Sequence, residues 1–188
     1  IEVSASDIDF QRAVRANSGI HHIPENSAYI DQRNYLQTMM NVYNDLKEYA
    51  KTPEAEALLK SELERFKKLL IQRTYAYLDA KSRVVSPFIA GPARFPVKQM
   101  EKRTDTEHKR LNELIATADN ATLSIKKKLR ALAVEAAGGE AALMKRKLEA
   151  AKKLQETMKA ANKIYRDAKL TTEQKVDAVG RRLEDHIR

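Results

Sequence analysis

Three of the five prolines in this 188-residue chain, Pro87, Pro92 and Pro96, fall within residues 82–98. Proline donates no backbone N–H, and the residue before it is pushed out of the α region. No helix is expected to run through this stretch, so the chain must break at its centre. The flanks read differently. They are rich in Ala, Leu, Lys, Glu and Arg, and the whole chain holds five Gly and no Trp, a composition that favours helix over sheet. The central segment is also basic and aromatic. It carries Arg83, Arg94 and Lys98 without an acid, together with Phe88 and Phe95. Connections of this kind on a rigid scaffold are where binding residues concentrate.

Helical periodicity places the remaining elements. Ser4 and Asp7 have capping-box spacing, which predicts a first helix from Ser4 to Ala16, ended by Asn17-Ser18-Gly19. A second helix is expected from Asn26 or Ser27, with Leu36, Met39, Tyr43, Leu46 and Ala50 on one face. Thr52-Pro53 reads as N-cap followed by the first helical position. Ala55, Leu59, Leu63, Phe66, Leu70 and Tyr77 then form the inner face of a third helix. Beyond the prolines, Leu111, Leu114, Ala118, Ala121, Ile125, Leu129, Leu132 and Ala136 keep an amphipathic helical step. Gly138-Gly139 interrupts this pattern. A second stripe follows at Met144, Leu148, Ala151, Leu154, Met158, Ala161, Tyr165 and Ala168, nearer the 3.5-residue period of a coiled coil. A last short helix should start at Thr171. The expected fold is all-α: two antiparallel helical hairpins joined by a proline-rich loop, the second long and coiled-coil-like. Its parts are residues 1–82 (N-terminal helices and first hairpin), 83–98 (basic loop) and 99–188 (long basic hairpin with a short C-terminal helix).

Charge is unevenly distributed. Residues 1–80 hold 10 Lys and Arg against 12 Asp and Glu, whereas residues 81–188 hold 25 against 14. A strongly basic half suggests a polyanionic partner. No apolar run reaches the roughly 20 residues that a membrane span needs, and no signal peptide is visible, although Ile1 is not a natural start. The absence of cysteine excludes disulfides, thiolate nucleophiles and zinc-thiolate sites and fits a cytoplasmic setting.

Catalytic patterns are missing. The histidines, His21, His22, His108 and His186, show no metal-binding spacing. No phosphate-binding glycine loop and no nucleophile elbow occurs. Carboxylates such as Glu54 and Glu56, or Asp105 and Glu107, stand two residues apart and diverge on a helix. No catalytic residue, metal or cofactor is therefore expected. Lys and Arg carry the stronger signal. Arg83, Arg94, Lys98, Lys102 and Arg103 gather around the central loop, and Phe88 and Phe95 are its stacking candidates. Lys126, Lys127, Lys128 and Arg130 are expected opposite the Ile125/Leu129 stripe, and Lys145, Arg146, Lys147, Lys152, Lys153, Lys159, Lys163 and Arg166 along the outer face of the partner helix. Such a face neutralises phosphates with little sequence preference. The competing reading makes these cations solubilising partners of Glu140, Glu149 and Glu156, and the phenylalanines plugs for the helical core.

Ser82-Arg83-x-x-Ser86-Pro87-x-Ile89-x-Gly91-Pro92-x-x-Phe95-Pro96-Val97-Lys98-x-x-x-Lys102 resembles a motif of uncharacterised helical proteins of phages and mobile genetic elements. The run from Lys147-Leu148 to Asn162-Lys163 is similar to a downstream helix of the same proteins, and the resemblance spans roughly residues 82–175. Lys98 stands where that motif usually has Arg. The family brings no established activity; the resemblance implies a mobile-element setting, beside anti-defence or DNA-processing functions. The function expected is non-enzymatic binding of nucleic acid or nucleoprotein. The alternative is an anti-defence inhibitor or adaptor, for example an anti-CRISPR, bound to a nucleic-acid-binding host protein complex. The helical stripes also offer a route to homo-oligomers, and no membrane partner is expected.

Overall fold

A computed structural model of the chain describes residues 1–91, 95–166, 171–177 and 180. Among them every regular element is helical and no strand occurs. Ser4 and Asp7 do close a capping box, with the Ser4 amide donating to Asp7 Oδ2 at 3.0 Å, but it caps only a 3₁₀ turn, Ala5–Asp7. Ile8 then turns extended and is fully buried. The carboxylate of Asp9 accepts the Arg12 amide and starts a separate helix, α1 (Phe10–Asn17). The single helix expected over Ser4–Ala16 is split because burying Ile8 outweighs continuing the helical ladder. Helix α2 runs Pro24–Lys47, and α3 runs Pro53–Lys81 with the Thr52 hydroxyl accepting the Ala55 amide at 3.2 Å.

The chain divides into two compact units, Ile1–Leu132 and Ala133–Arg188. In the first, α1 packs on α2 and α3. Asp31 near the start of α2 meets Lys81 at the end of α3 at 3.6 Å, so these helices run antiparallel. The inner face of α3 is as expected except that Thr74 and Leu78 are buried at its end while Tyr77 is only partly covered. The face of α2 is partly as expected. Met39, Leu46 and Ala50 are buried and Leu36 packs against the core, but Tyr43 is exposed, and Ala28, Gln32, Tyr35 and Val42 are buried as well.

Helix α5 (Val97–Ala136) crosses the boundary between units. Within the first unit Lys128 meets Glu62 at 2.7 Å and Arg73 meets Glu113 at 3.3 Å, so α5 runs antiparallel to α3. Ile125 and Leu129 are buried in the core of α2 and α3, and Leu114, Ala118, Ala121 and Leu132 pack against it. The stripe that the sequence assigned to a second hairpin therefore completes the first core. A stripe records that a helix has an inner face, not which helix that face meets.

The proline segment also differs from expectation. Residues 87–90 form a single helical turn, α4 (Pro87–Ala90). Proline at the first helical position costs nothing, since its missing N–H would have no partner there. The Ser86 hydroxyl accepts the Phe88 amide at 3.2 Å, and Gly91, at φ 83°, ends the turn. In the second unit the helix stops at Gly138-Gly139. The Gly139 amide donates to Val134 O at 2.9 Å and the Gly138 amide to Glu135 O at 3.0 Å, with both glycines at positive φ, 82° and 102°. This is a Schellman C-cap, which glycine enters without the Cβ penalty. Helix α6 (Glu140–Tyr165) follows. Thr171 caps a further helical turn over 172–177, where its amide donates to Gln174 Oε1 at 3.0 Å.

Candidate polyanion interface

Residues 84–86 are pinned to the connection between α1 and α2. The Ser86 amide donates to Gly19 O at 2.8 Å. A Cβ at position 19 would stand 2.6 Å from the Val84 carbonyl oxygen, so only glycine allows this approach. That anchor presents α4 to solvent. Phe88 is 90 % exposed, which removes the plug reading for this side chain. Phe95 is half-buried. The Arg103 guanidinium donates from Nη1 to the Arg83 carbonyl at 3.0 Å and ties the first turns of α5 to the end of α3. Lys98 and Lys102 are exposed, four residues apart on one face of α5. Neither they nor the Arg83 side chain makes an ion pair among the described residues. Arg94 lies outside the described residues.

Further along α5 the basic run is largely spent on packing. Lys128 is paired with Glu62, and the lysine bond holds the Glu62 carboxyl below its ordinary pKa against the opposing effect of burial. Lys126 lies 4.7 Å from the Tyr49 ring centroid, with Arg130 at 5.5 Å from the same ring. The neighbouring Lys126 cation lowers the Tyr49 phenol pKa. Lys127 alone of this trio is exposed and without a salt bridge among the described residues.

Helix α6 is different. Lys145, Arg146, Lys147, Lys152 and Lys153 are all exposed, and none of their side chains forms an ion pair or hydrogen bond among the described residues. Glu140, Glu149 and Glu156 lie within reach in sequence, yet none of them makes an i,i+4 ion pair among the described residues, as the competing reading required. Lys159, Lys163 and Arg166 extend the basic surface and, with Asn162, line an open concavity of about 570 Å³. These three repeat the 4-and-3 spacing of one helical face, a signal already present in the sequence.

Among the described residues no helix is long and apolar enough to cross a membrane. Comparison with protein-family models, curated proteins and solved structures finds no match to this chain.

Proposed function

We propose that this chain binds nucleic acid, or a nucleoprotein, without catalysing a reaction. One observation carries the reading: the cations of α6 are exposed and make no ion pair among the described residues, although acids stand in the same helix. An unpaired cation keeps its full attraction for phosphate, and each counterion it displaces adds to affinity. The exposed Lys98, Lys102 and Phe88 supply a second patch, in which the ring offers a stacking face to an unpaired base. The motif at residues 82–102 accords with a phage or mobile-element setting and a place in the cytoplasm.

The alternative, an anti-defence inhibitor or adaptor on a host protein complex, is favoured by a separate observation. The coiled-coil-like stripe of α6 is exposed at Met144, Leu148, Leu154, Met158 and Tyr165. Retention of the purified chain on immobilised duplex DNA, single-stranded DNA and RNA over a salt gradient tests the leading reading. Binding that falls steeply with salt supports it. Absence of binding at low salt, with recovery of one nuclease-resistant protein complex from host lysate, supports the alternative.

A further inference from the structure

Helix α6 carries a seven-residue repeat with two registers. Met144, Ala151, Met158 and Tyr165 recur every seven residues, with Leu148 between the first two, and form an apolar seam. The position after each residue of the seven-residue repeat is cationic, Lys145, Lys152, Lys159 and Arg166, whereas Leu148 is followed by Glu149. In heptad terms the seam occupies d, with Leu148 at a, and the cations occupy e. No residue of α6 is buried. Met144 is 59 % exposed, Leu148 56 %, Met158 56 % and Tyr165 70 %. Methionine-rich seams of this size on a surface mark sites of association, because water gains when they are covered.

The flanking charge selects the occupant. Two copies of α6 packed antiparallel would set e cations against e cations. Packed parallel, the e cations would face Lys147, Leu154 and Ala161, none of which is an acid. A second copy is therefore disfavoured in both orientations. We propose that the α6 seam docks an amphipathic helix of a partner protein whose own flanking positions are acidic. Apolar residues of the partner cover Met144, Leu148 and Met158, and its Asp or Glu residues pair with Lys145, Lys152, Lys159 and Arg166. This inference stands apart from nucleic-acid binding through Arg146, Lys153 and Lys163, which lie away from the seam.

The test uses the full chain and two synthetic helical peptides, both with Leu at a and d. One has Glu at e and g, and the other has Lys there. Binding is followed by fluorescence anisotropy. The Glu peptide should bind about tenfold more tightly or better, the combined effect of four exposed charge pairs, and high salt should shrink the difference. Leu148→Ser with Met158→Ser should abolish peptide binding while leaving helical circular dichroism and nucleic-acid retention unchanged. Equal affinity for the two peptides, no binding of either, or full binding by the serine variant would overturn the proposal. Sedimentation showing self-association that Leu148→Ser with Met158→Ser abolishes would do the same, since it would assign the seam to a second copy.

Discussion

The two units use one kind of sequence for opposite ends. Both are built from amphipathic helices rich in Leu, Ala, Lys and Glu. In the first unit the apolar stripes are buried and ion pairs join its elements: Arg12 with Asp79, Lys67 with Asp7, Lys81 with Asp31, Arg73 with Glu113 and Lys128 with Glu62. In α6 of the second unit no side chain is buried, the seam faces water, and the cations stand without acid partners among the described residues. The difference shows that an amphipathic pattern states a capacity for association. Whether the chain fulfils that capacity itself or leaves it for another molecule is decided by tertiary neighbours.

The largest expected effect separates the two stripes directly. Leu129→Ala removes a side chain that is 1 % exposed and should destabilise the fold by about 2–5 kcal/mol. Leu148→Ala, at an exposed position of α6, should change stability by no more than about 0.5 kcal/mol. Denaturant unfolding of both variants checks this. A comparable loss for Leu148→Ala would mean that the α6 seam is already packed in solution.

A second contrast concerns polar groups. Asp7 accepts from the Ser4 amide at 3.0 Å and from the Tyr35 hydroxyl at 2.9 Å, and pairs with Lys67 at 3.0 Å. Burial raises its pKa, but these partners outweigh burial and leave it below the ordinary 3.8. Asp7→Ala should cost about 1–3 kcal/mol, because Tyr35 and Lys67 lose their acceptor. Since the folded pKa is the lower one, the contribution of Asp7 is complete above pH 3.8 and is lost as pH falls through the folded value. Melting temperatures of the parent and the variant should converge at the acid end. A constant gap between them across the acid range would contradict this.

Gly19→Ala should cost about 1–3 kcal/mol, the scale of overpacking, since the new methyl group would press on the Val84 carbonyl. An unchanged melting temperature would show that the root of the central segment yields freely. Phe88→Ala should leave stability within about 0.5 kcal/mol because the ring is exposed. It should weaken single-stranded nucleic-acid binding by about 1–3 kcal/mol if a base stacks there. Loss of stability without loss of binding would return Phe88 to the core.

Parts of this organisation were legible in the sequence. Thr52-Pro53 announced α3, and its apolar steps named most of the buried face, because cap and periodicity agreed. Gly138-Gly139 marked the end of α5 for the same reason. The width of the α2 inner face was hidden because Leu36, Met39 and Tyr43 are spaced as well as Tyr35, Met39 and Val42, and only tertiary neighbours decide between Tyr43 and Val42. The partner of the α5 stripe was hidden because a 3.6-residue repeat names no neighbour. Helix α4 was missed because three prolines read as a block obscure the one that begins a turn. For the candidate interface, the cations were visible in sequence, but their pairing was not: Lys128 and Lys147 look alike until Glu62 is placed beside one of them. Arg94 and Ala168 lie outside the described residues.

The central claim is that α6 cations are left free to neutralise phosphate. The direct measurement is the salt dependence of nucleic-acid affinity for the parent and for a variant carrying Arg146→Glu, Lys153→Glu and Lys163→Glu, which spares the seam and its flanking cations. Each lost phosphate contact should flatten the log–log slope by about 0.9 on duplex DNA or about 0.7 on single strands. The account predicts a folded variant with weaker binding and a slope reduced by several such steps. A folded variant with the affinity and slope of the parent would contradict it and leave these cations as solubilising charge.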